Sequence, residues 1–335
     1  MAEGLRVVLF GLGPIGASIG RLVAEKPHAT IVAAVDADPE KVGRDLGEIL
    51  GLSQSLGVPV LGSLAEGLEV PADVVVHCTG SYLVSVRDQL VSCLSAGRNV
   101  VSTCEELAYP LRKHPALSRE LNEIAVAHGV TLHATGVNPG FVMDKLVLTL
   151  SSVCQRVEGA TITRVVDAGR RRLPLQKKVG AGMTEAQFRA EVEAGRIKHH
   201  GLPESAALIA DAWGVPVDTI SETIDPVLAR ATTTTDYLTV EAGQVAGVRQ
   251  VCVASRGEEE VLRLVLEMYV GASAPSDRIV LRGVPDLTLE IPGGTHGDLA
   301  TAAAILNAIP LVAAAPPGLR TVADLPVRYS DAYPA

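Results

Sequence analysis

The sequence predicts an α/β protein: a doubly wound parallel sheet in the N-terminal part, joined to an α+β domain with a mostly antiparallel sheet. Three observations carry this. Apolar runs alternate with amphipathic helical stretches to about residue 145. The first run leads directly into a G-x-G-x-x-G turn. Beyond residue 155 the pattern changes to strands that follow one another through short turns.

Val7-Val8-Leu9-Phe10 precede Gly11-Leu12-Gly13-Pro14-Ile15-Gly16, and Ala17 to Glu25 place Ile19, Leu22 and Val23 at helical spacing. This strand–turn–helix context turns a weak motif into a Rossmann dinucleotide site. Gly11 permits the tight turn, Gly13 lets a pyrophosphate approach the backbone, and Gly16 lets helix and strand lie close. The helix start, with Pro14 and Ile15, then faces the phosphates. A second run, Ile31 to Val35, ends in Asp36, where a carboxylate can accept from an adenosine ribose. Asp36 favours NAD over NADP, and Lys41 and Arg44 nearby soften that preference. A loop is expected from Ala37 to Gly47, then a short strand at Pro59–Leu61.

Asp73 to Cys78 is a continuous apolar run, as for a strand covered on both faces, and ends in Thr79-Gly80-Ser81. Val84 to Ala96 reads as a helix stopped by Gly97. Asn99 to Thr103 is the next strand, ending in Cys104-Glu105-Glu106. Leu117 to His128 is a further helix, and Val130 to His133 a further strand, before Gly136-Val137-Asn138-Pro139-Gly140-Phe141. Ligands of such sheets bind outside the carboxyl ends of the strands, so these strand-end residues are expected to cluster.

In the second part, strands are expected at Ala160–Asp167, Val217–Ile224, Val245–Ser255, Val261–Val270, Arg278–Arg282 and Asp286–Ile291. Helices are expected at Thr184–Ala194, with Thr184 as N-cap, and at Pro203–Trp213, stopped by Gly214. Gly293 to Pro326 reads as helical and apolar. The resulting division is 1–145 for dinucleotide binding, 146–292 for substrate and dimerisation, and 293–335 returning to the first domain.

Bulk properties exclude some classes. The 335 residues carry a formal charge of −9 with 20% charged side chains, so nothing points to nucleic acid or a membrane surface. Arg170-Arg171-Arg172 is the one dense basic spot, placed between predicted strands and read as a solvated turn in preference to an anion site or a subunit contact. The five cysteines have no paired or zinc-ligand spacing, which implies reduced, mostly buried thiols in a cytoplasmic protein and no metal. Glu3 and the embedded fingerprint argue against a secretory leader. Leu299 to Ala315 is almost long and apolar enough to span a membrane, but Thr301, Asn307 and Pro310 favour a buried core helix.

Chemistry is expected at the strand ends. Glu105 and Glu106 leave one strand in opposite directions, so at most one faces a pocket, where it can bind a cationic amine or move its proton. The competing role for both is as N-caps or first-turn acids of the following helix. Asn138 can orient a carboxamide or substrate, against the bland alternative of a Pro–Gly turn. Lys198-His199-His200 offers an acid or a substrate contact, or an exposed polar loop. Lys177-Lys178 carries less weight. Asp298, Thr301 and Asn307 place polar groups on the last helix, one or two of them near the cofactor.

The strings Ser102-Thr103-Cys104-Glu105-Glu106-Leu107-x-Tyr109-Pro110, Thr135-Gly136-Val137-Asn138-Pro139-Gly140-Phe141-Val142-Met143-Asp144 and Gly297-Asp298-x-x-Thr301-Ala302-Ala303, with the Gly11 turn, run over nearly the whole chain. Together they resemble the native amine dehydrogenase and 2,4-diaminopentanoate dehydrogenase family, a branch of the dihydrodipicolinate-reductase-like dehydrogenases. The resemblance implies NAD(H)- or NADP(H)-dependent reductive amination of ketones or aldehydes with ammonia, the reverse oxidative deamination, and a homodimer. It implies that Glu105 is the catalytic carboxylate. It places Asn138 and the Phe141 region at the nicotinamide and substrate pocket, in keeping with Thr79, Gly80, Ser81, Cys104 and Asn307 on the cofactor side and His199 and Thr301 on the substrate side. His199-His200 has no downstream lysine partner or Pro-Ser-Gly-Thr stretch, so dihydrodipicolinate reduction is not expected. The rival activities are a diamino acid dehydrogenase or another imine or carbonyl reductase, and a non-catalytic NAD(H) sensor.

Overall fold

The computed structural model describes residues 4–26 and 28–330. Glu3, used above against a leader, lies outside the described residues. The chain divides into two units, Met1–Phe141 with His296–Ala335, and Val142–Thr295.

The first unit begins β1 (Leu5–Phe10), α1 (Pro14–Ala24), β2 (Ala29–Val35), α2 (Leu46–Leu50), β3 (Val60–Leu61) and α3 (Leu64–Glu69). It continues β4 (Val74–His77), α4 (Leu83–Ser95), β5 (Asn99–Ser102), a 3-10 turn (Glu105–Ala108), α5 (Pro115–Ala127) and β6 (Thr131–Ala134). The second unit runs α6 (Lys145–Ser151), β7 (Arg156–Asp167), α7 (Leu173–Lys178), α8 (Glu185–Glu193), α9 (Leu202–Ala212), β8 (Thr219–Leu228), β9 (Thr233–Thr234) and β10 (Thr239–Val240). It ends with β11 (Val245–Arg256), β12 (Glu259–Tyr269), β13 (Ser276–Val284) and β14 (Leu287–Pro292). Then α10 (Gly297–Ala314) and β15 (Gly318–Arg320) complete the first unit.

The first sheet has seven strands in the order β15-β6-β5-β4-β1-β2-β3, every pair parallel. Alternation along each strand builds two cores. Val7, Leu9, Val74 and Val76 face α1 and α10, with Ile19, Ile305 and Ile309. Val8, Phe10, Val75 and Val100 face α4 and α5, with Leu90 and Leu121. Strands buried on both faces explain the unbroken apolar runs in the sequence. The second sheet has six strands in the order β14-β13-β7-β12-β11-β8. Its pairs are antiparallel except β7 with β12, so the expected mostly antiparallel sheet is present. The Thr184 cap closes a full capping box with Gln187.

Four local expectations change. Helices α2 and α3 occupy a stretch with no predicted helix; Asp45 and Ser63 cap them from side chains. The final segment is not wholly helical: Gly318–Arg320 pairs with Thr131–His133 as an edge strand, too short to show periodicity. Helix α10 is long and apolar enough to cross a membrane by composition. It is not buried all round, as expected of a core helix; Ala302, Ile305, Leu306, Ala308, Ile309 and Val312 form its buried face, and Leu299 is exposed. Arg170–Arg172 is not simply a solvated turn between strands. Arg170 is exposed beside Asp167, but Arg171 is buried, because the segment folds into a 3-10 turn (Ala168–Arg170) leading into α7.

Candidate active site

The glycine turn lies at the carboxyl end of β1. Gly11 sits at φ +94°, and a side-chain carbon there would lie 2.7 Å from the Cys78 carbonyl oxygen. A side-chain carbon at Gly16 would lie 1.8 Å from the Gly11 carbonyl oxygen, so α1 can begin this close to β1 only with glycine there. Gly13 differs: it is the extended N-cap of α1, and no atom lies within 4 Å of where its side chain would start. Pro14 opens the helix without an N–H, and the next N–H groups, from Ile15 onward, face outward as the first turn of any helix does. This open cradle at a helix start fits a pyrophosphate.

Asp36 follows β2 beside that turn. Its carboxylate accepts from the Leu12 N–H at 2.7 Å, the Asp38 N–H at 2.9 Å and Lys41 Nζ at 3.2 Å. Burial raises the carboxyl's pKa, but these donors outweigh it and hold it below the usual range. The charge is therefore kept at neutral pH, in the position of a ribose acceptor. Lys41 is shared with Asp38 at 3.4 Å, and Arg44 is turned to Glu48 at 2.6 Å.

The ends of β4 and β5 are laced together. The Ser81 carbonyl accepts from the Glu106 N–H at 3.2 Å and from Cys104 Sγ at 3.3 Å. Burial pushes the Cys104 thiol up to about 12, so it stays protonated. Gly80 lies in this loop, and Thr79 Oγ1 contacts Gln89 and His77.

The two glutamates are separated by their partners. Glu106 is buried and accepts from the Leu83 N–H at 2.8 Å and Lys113 Nζ at 2.5 Å, with His114 Nε2 at 3.4 Å. Burial raises its pKa, but Lys113, the Leu83 N–H and His114 together hold it below the ordinary value. It thus holds the start of α4, while both glutamates also stand, as expected, in the first turn of the short 3-10 helix Glu105–Ala108. Glu105 opens the 3-10 turn, and its Oε2 is buried without a hydrogen-bond partner. A carboxylate oxygen in that state awaits a cationic or protic partner.

The loop after β6 supplies the third edge. Its start is tied to β5 by Thr135 N–H to the Ser102 carbonyl at 3.0 Å. Gly140, at φ +126°, brings the chain back so tightly that a side-chain carbon would lie 2.3 Å from Gly136 N. Asn138 is buried with both amide atoms unpartnered. The Val137 N–H donates to Thr301 Oγ1 at 3.2 Å, which fixes the start of α10 against this loop. Phe141 ends the loop, half-buried. Asn307 is not part of this group: it lies six residues further along α10, about 9 Å away, and donates to Ser330 at 3.4 Å.

His199 belongs to the second unit. Its backbone is held both ways by Gln250, at 2.9 and 2.7 Å. Burial first, then the charges of Lys178, Arg164 and His200, lower its pKa to about 3, so it is neutral and no acid near pH 7. Arg164 is buried against Asp277 at 3.3 Å, and burial, with Arg171 nearby, lowers its pKa against the pull of Asp277. Sequence reasoning passed over His77, Ser102 and Gln89; a histidine inside an otherwise apolar strand was the available signal.

Residues 141–332 match the model of the 2,4-diaminopentanoate dehydrogenase C-terminal domain, and residues 5–104 that of the dihydrodipicolinate reductase N-terminus. A 2,4-diaminopentanoate dehydrogenase from Acetoanaerobium sticklandii is 30% identical, over 97% of this chain and 94% of the relative. An amine dehydrogenase from Streptomyces virginiae is 26% identical, over 97% of each. The solved structure of an amine dehydrogenase from Mycobacterium smegmatis superimposes with a TM-score of 0.86 at 28% identity, covering 98% of both chains.

Proposed function

The chain belongs to the 2,4-diaminopentanoate dehydrogenase family, and we propose on that premise how its residues work. It is an NAD(P)-dependent amine dehydrogenase, an oxidoreductase acting on amine donors. The open cradle at Gly13 holds the pyrophosphate, and Asp36 accepts from the ribose. When bound, the nicotinamide supplies the hydride acceptor for the amine-bearing carbon, and the donor in the reverse direction. Glu105 does the protein's share. In deamination its free carboxylate oxygen binds the substrate ammonium and takes one proton from it, so that the nitrogen lone pair can form the C=N bond as hydride departs. Water then adds to the iminium carbon, the C–N bond breaks, and the nitrogen leaves as ammonium with the water's protons, leaving the carbonyl. In amination Glu105 stabilises the same iminium and returns the proton to the product amine. Asn138, buried and unpartnered, offers a donor and an acceptor to the carboxamide or the substrate.

The single observation that carries this reading is the unpartnered Glu105 oxygen beside a Glu106 that is fully engaged. The test is NADH oxidation with a panel of aldehydes and ketones, with and without ammonium. Oxidation should require both carbonyl and ammonium. Glu105→Gln should keep NADH binding and lose turnover at least about 100-fold. Near-normal turnover in that variant overturns the assignment. NADH binding without oxidation of any pair would favour a sensor.

The Asp36 carboxylate supports NAD as the preferred cofactor, and Lys41 beside it supports some use of NADP. A second substrate reading has its own observation: in the second unit Arg164, paired with Asp277, stands among the charges of Arg171, Lys178 and His200. That favours a substrate bearing a carboxylate, such as a diamino acid. Comparing an unfunctionalised amine with a diamino acid of similar length separates the two. A homodimer remains part of the proposal, checked by light scattering.

A further inference from the structure

Beneath the loops that carry Ser81 and Glu105 lies a polar cluster that the mechanism above does not use. Its centre is His77, the last residue of β4, with no exposed surface and its ring edge-on to Phe10 at 5.6 Å. Nδ1 lies 2.8 Å from Ser102 Oγ, at the end of β5. Nε2 lies 2.9 Å from Gln89 Oε1 on α4 and 2.9 Å from Thr79 Oγ1. Thr79 donates to Gln89 Oε1 at 2.5 Å, and Ser102 Oγ accepts the Cys104 N–H at 3.0 Å.

For a neutral ring, one arrangement of protons satisfies these contacts. With the Gln89 oxygen facing the ring, Nε2 must carry the hydrogen. Nδ1 is then bare and receives the Ser102 hydroxyl proton, which leaves the Ser102 lone pairs for Cys104. In that arrangement the chain of bonds runs in one direction through a neutral imidazole. Burial supplies it, lowering the ring's pKa to about 4.

The His77–Ser102 pair at the cluster's centre is fully buried, with Thr79 and Gln89 closing its outer side, and a buried, satisfied pair of this kind fixes the backbone around it. Here it reaches two strand ends. Through Ser102 it sets Cys104, the residue on which the 3-10 turn of Glu105 begins. Through Thr79 it sets the loop whose methyl group stands 3.2 Å from where a side-chain carbon at Gly11 would lie. We infer that His77, acting through Ser102, is a positioning residue that holds the Glu105 carboxylate in register with the cofactor-binding turn. This rests on the assignment of Glu105 as the proton-handling carboxylate.

The test uses Ser102→Ala, His77→Phe, His77→Asn and Glu105→Gln in the full chain. Ser102→Ala removes one oxygen and keeps β5. It should lower kcat about 10-fold or more while the NADH Kd, read by fluorescence, stays within about twofold; sub-ångström to 1 Å displacements of a reacting group have effects of this size. His77→Phe should do the same, and His77→Asn, which retains a polar reach toward Ser102, should recover part of the loss. Because His77 acts through Glu105, Ser102→Ala should cost nothing further in the Glu105→Gln background. A merely structural role gives a lower Tm with normal kcat, or independent losses in the double variant; either overturns the inference. If His77→Phe does not fold, Ser102→Ala and the double variant decide alone. Failure of the Glu105 assignment is separate: there Glu105→Gln itself keeps its turnover.

Discussion

Two adjacent carboxylates, Glu105 and Glu106, leave one strand and do opposite work. Glu106 spends its oxygens on the Leu83 N–H and on Lys113; Glu105 keeps one buried oxygen without a partner. Substitution should therefore divide cleanly. Glu106→Ala strands a buried N–H at the start of α4 and releases Lys113, and should cost about 2–3 kcal/mol of stability. Glu105→Ala removes no hydrogen bond of its free oxygen and should cost under about 1 kcal/mol. Chemical denaturation of both variants checks this; equal losses would mean that Glu105 is structural as well. The sequence showed both acids at an active edge but not which one works. The answer lies in Leu83, Lys113 and His114, side chains and an amide that no local pattern ties to position 106.

At the scale of elements, the turn from β1 to α1 separates packing from binding. Gly11 and Gly16 are demanded by the chain itself, since side-chain carbons there would strike the Cys78 and Gly11 carbonyl oxygens. Gly13 faces open space and the protein does not need it. Gly13→Ser should therefore hold or slightly raise the melting temperature, because serine is a better helix N-cap. The same hydroxymethyl group would occupy the cradle and raise the NADH Kd about 10-fold or more. Unchanged affinity would move the pyrophosphate elsewhere. This element was legible because turn, cap and helix are encoded within ten residues, and the parallel strands because burial on both faces leaves unbroken apolar runs. Helices α2 and α3 and strand β15 were not legible: they are three to six residues long and exist by virtue of what they cap or pair with. The His77 cluster was invisible for a related reason. Its members come from β4, the loop after it, α4 and β5, and only the fold brings them together.

For the whole molecule, the buried neutral imidazole of His77 links stability to pH. The ring titrates near 6.5 in the unfolded chain and near 4 in the folded one. Above pH 6.5 both states are neutral and the group contributes no pH dependence. As pH falls from 6.5 to 4 the unfolded chain takes up a proton that the folded chain refuses, so stability drops, by about 3 kcal/mol at the lower limit. Urea midpoints at pH 7, 5.5 and 4.5 should fall accordingly, and His77→Gln should reduce the slope. An unchanged slope in that variant would show that the acid sensitivity comes from other groups. Glu106, held below its ordinary pKa, adds its own loss only at the acidic end of this range, as it becomes protonated.

The order of elements also has a consequence for synthesis. The first unit leaves off at Phe141 and resumes only at His296, yet α10 lies on its sheet and β15 forms its edge beside β6. A ribosome delivers the chain from its N-terminus, so the contiguous unit from Val142 to Thr295 emerges entire before the first can be finished. The forty residues from His296 to Ala335 take roughly 2–8 s at ordinary elongation rates. During that interval the face that α10 will cover and the strand that β15 will pair are exposed in the nascent protein, a natural target for chaperones. Truncation of the carboxyl-terminal segment therefore removes more than a tail: it leaves the nucleotide-binding half permanently at the stage of an unfinished translation product.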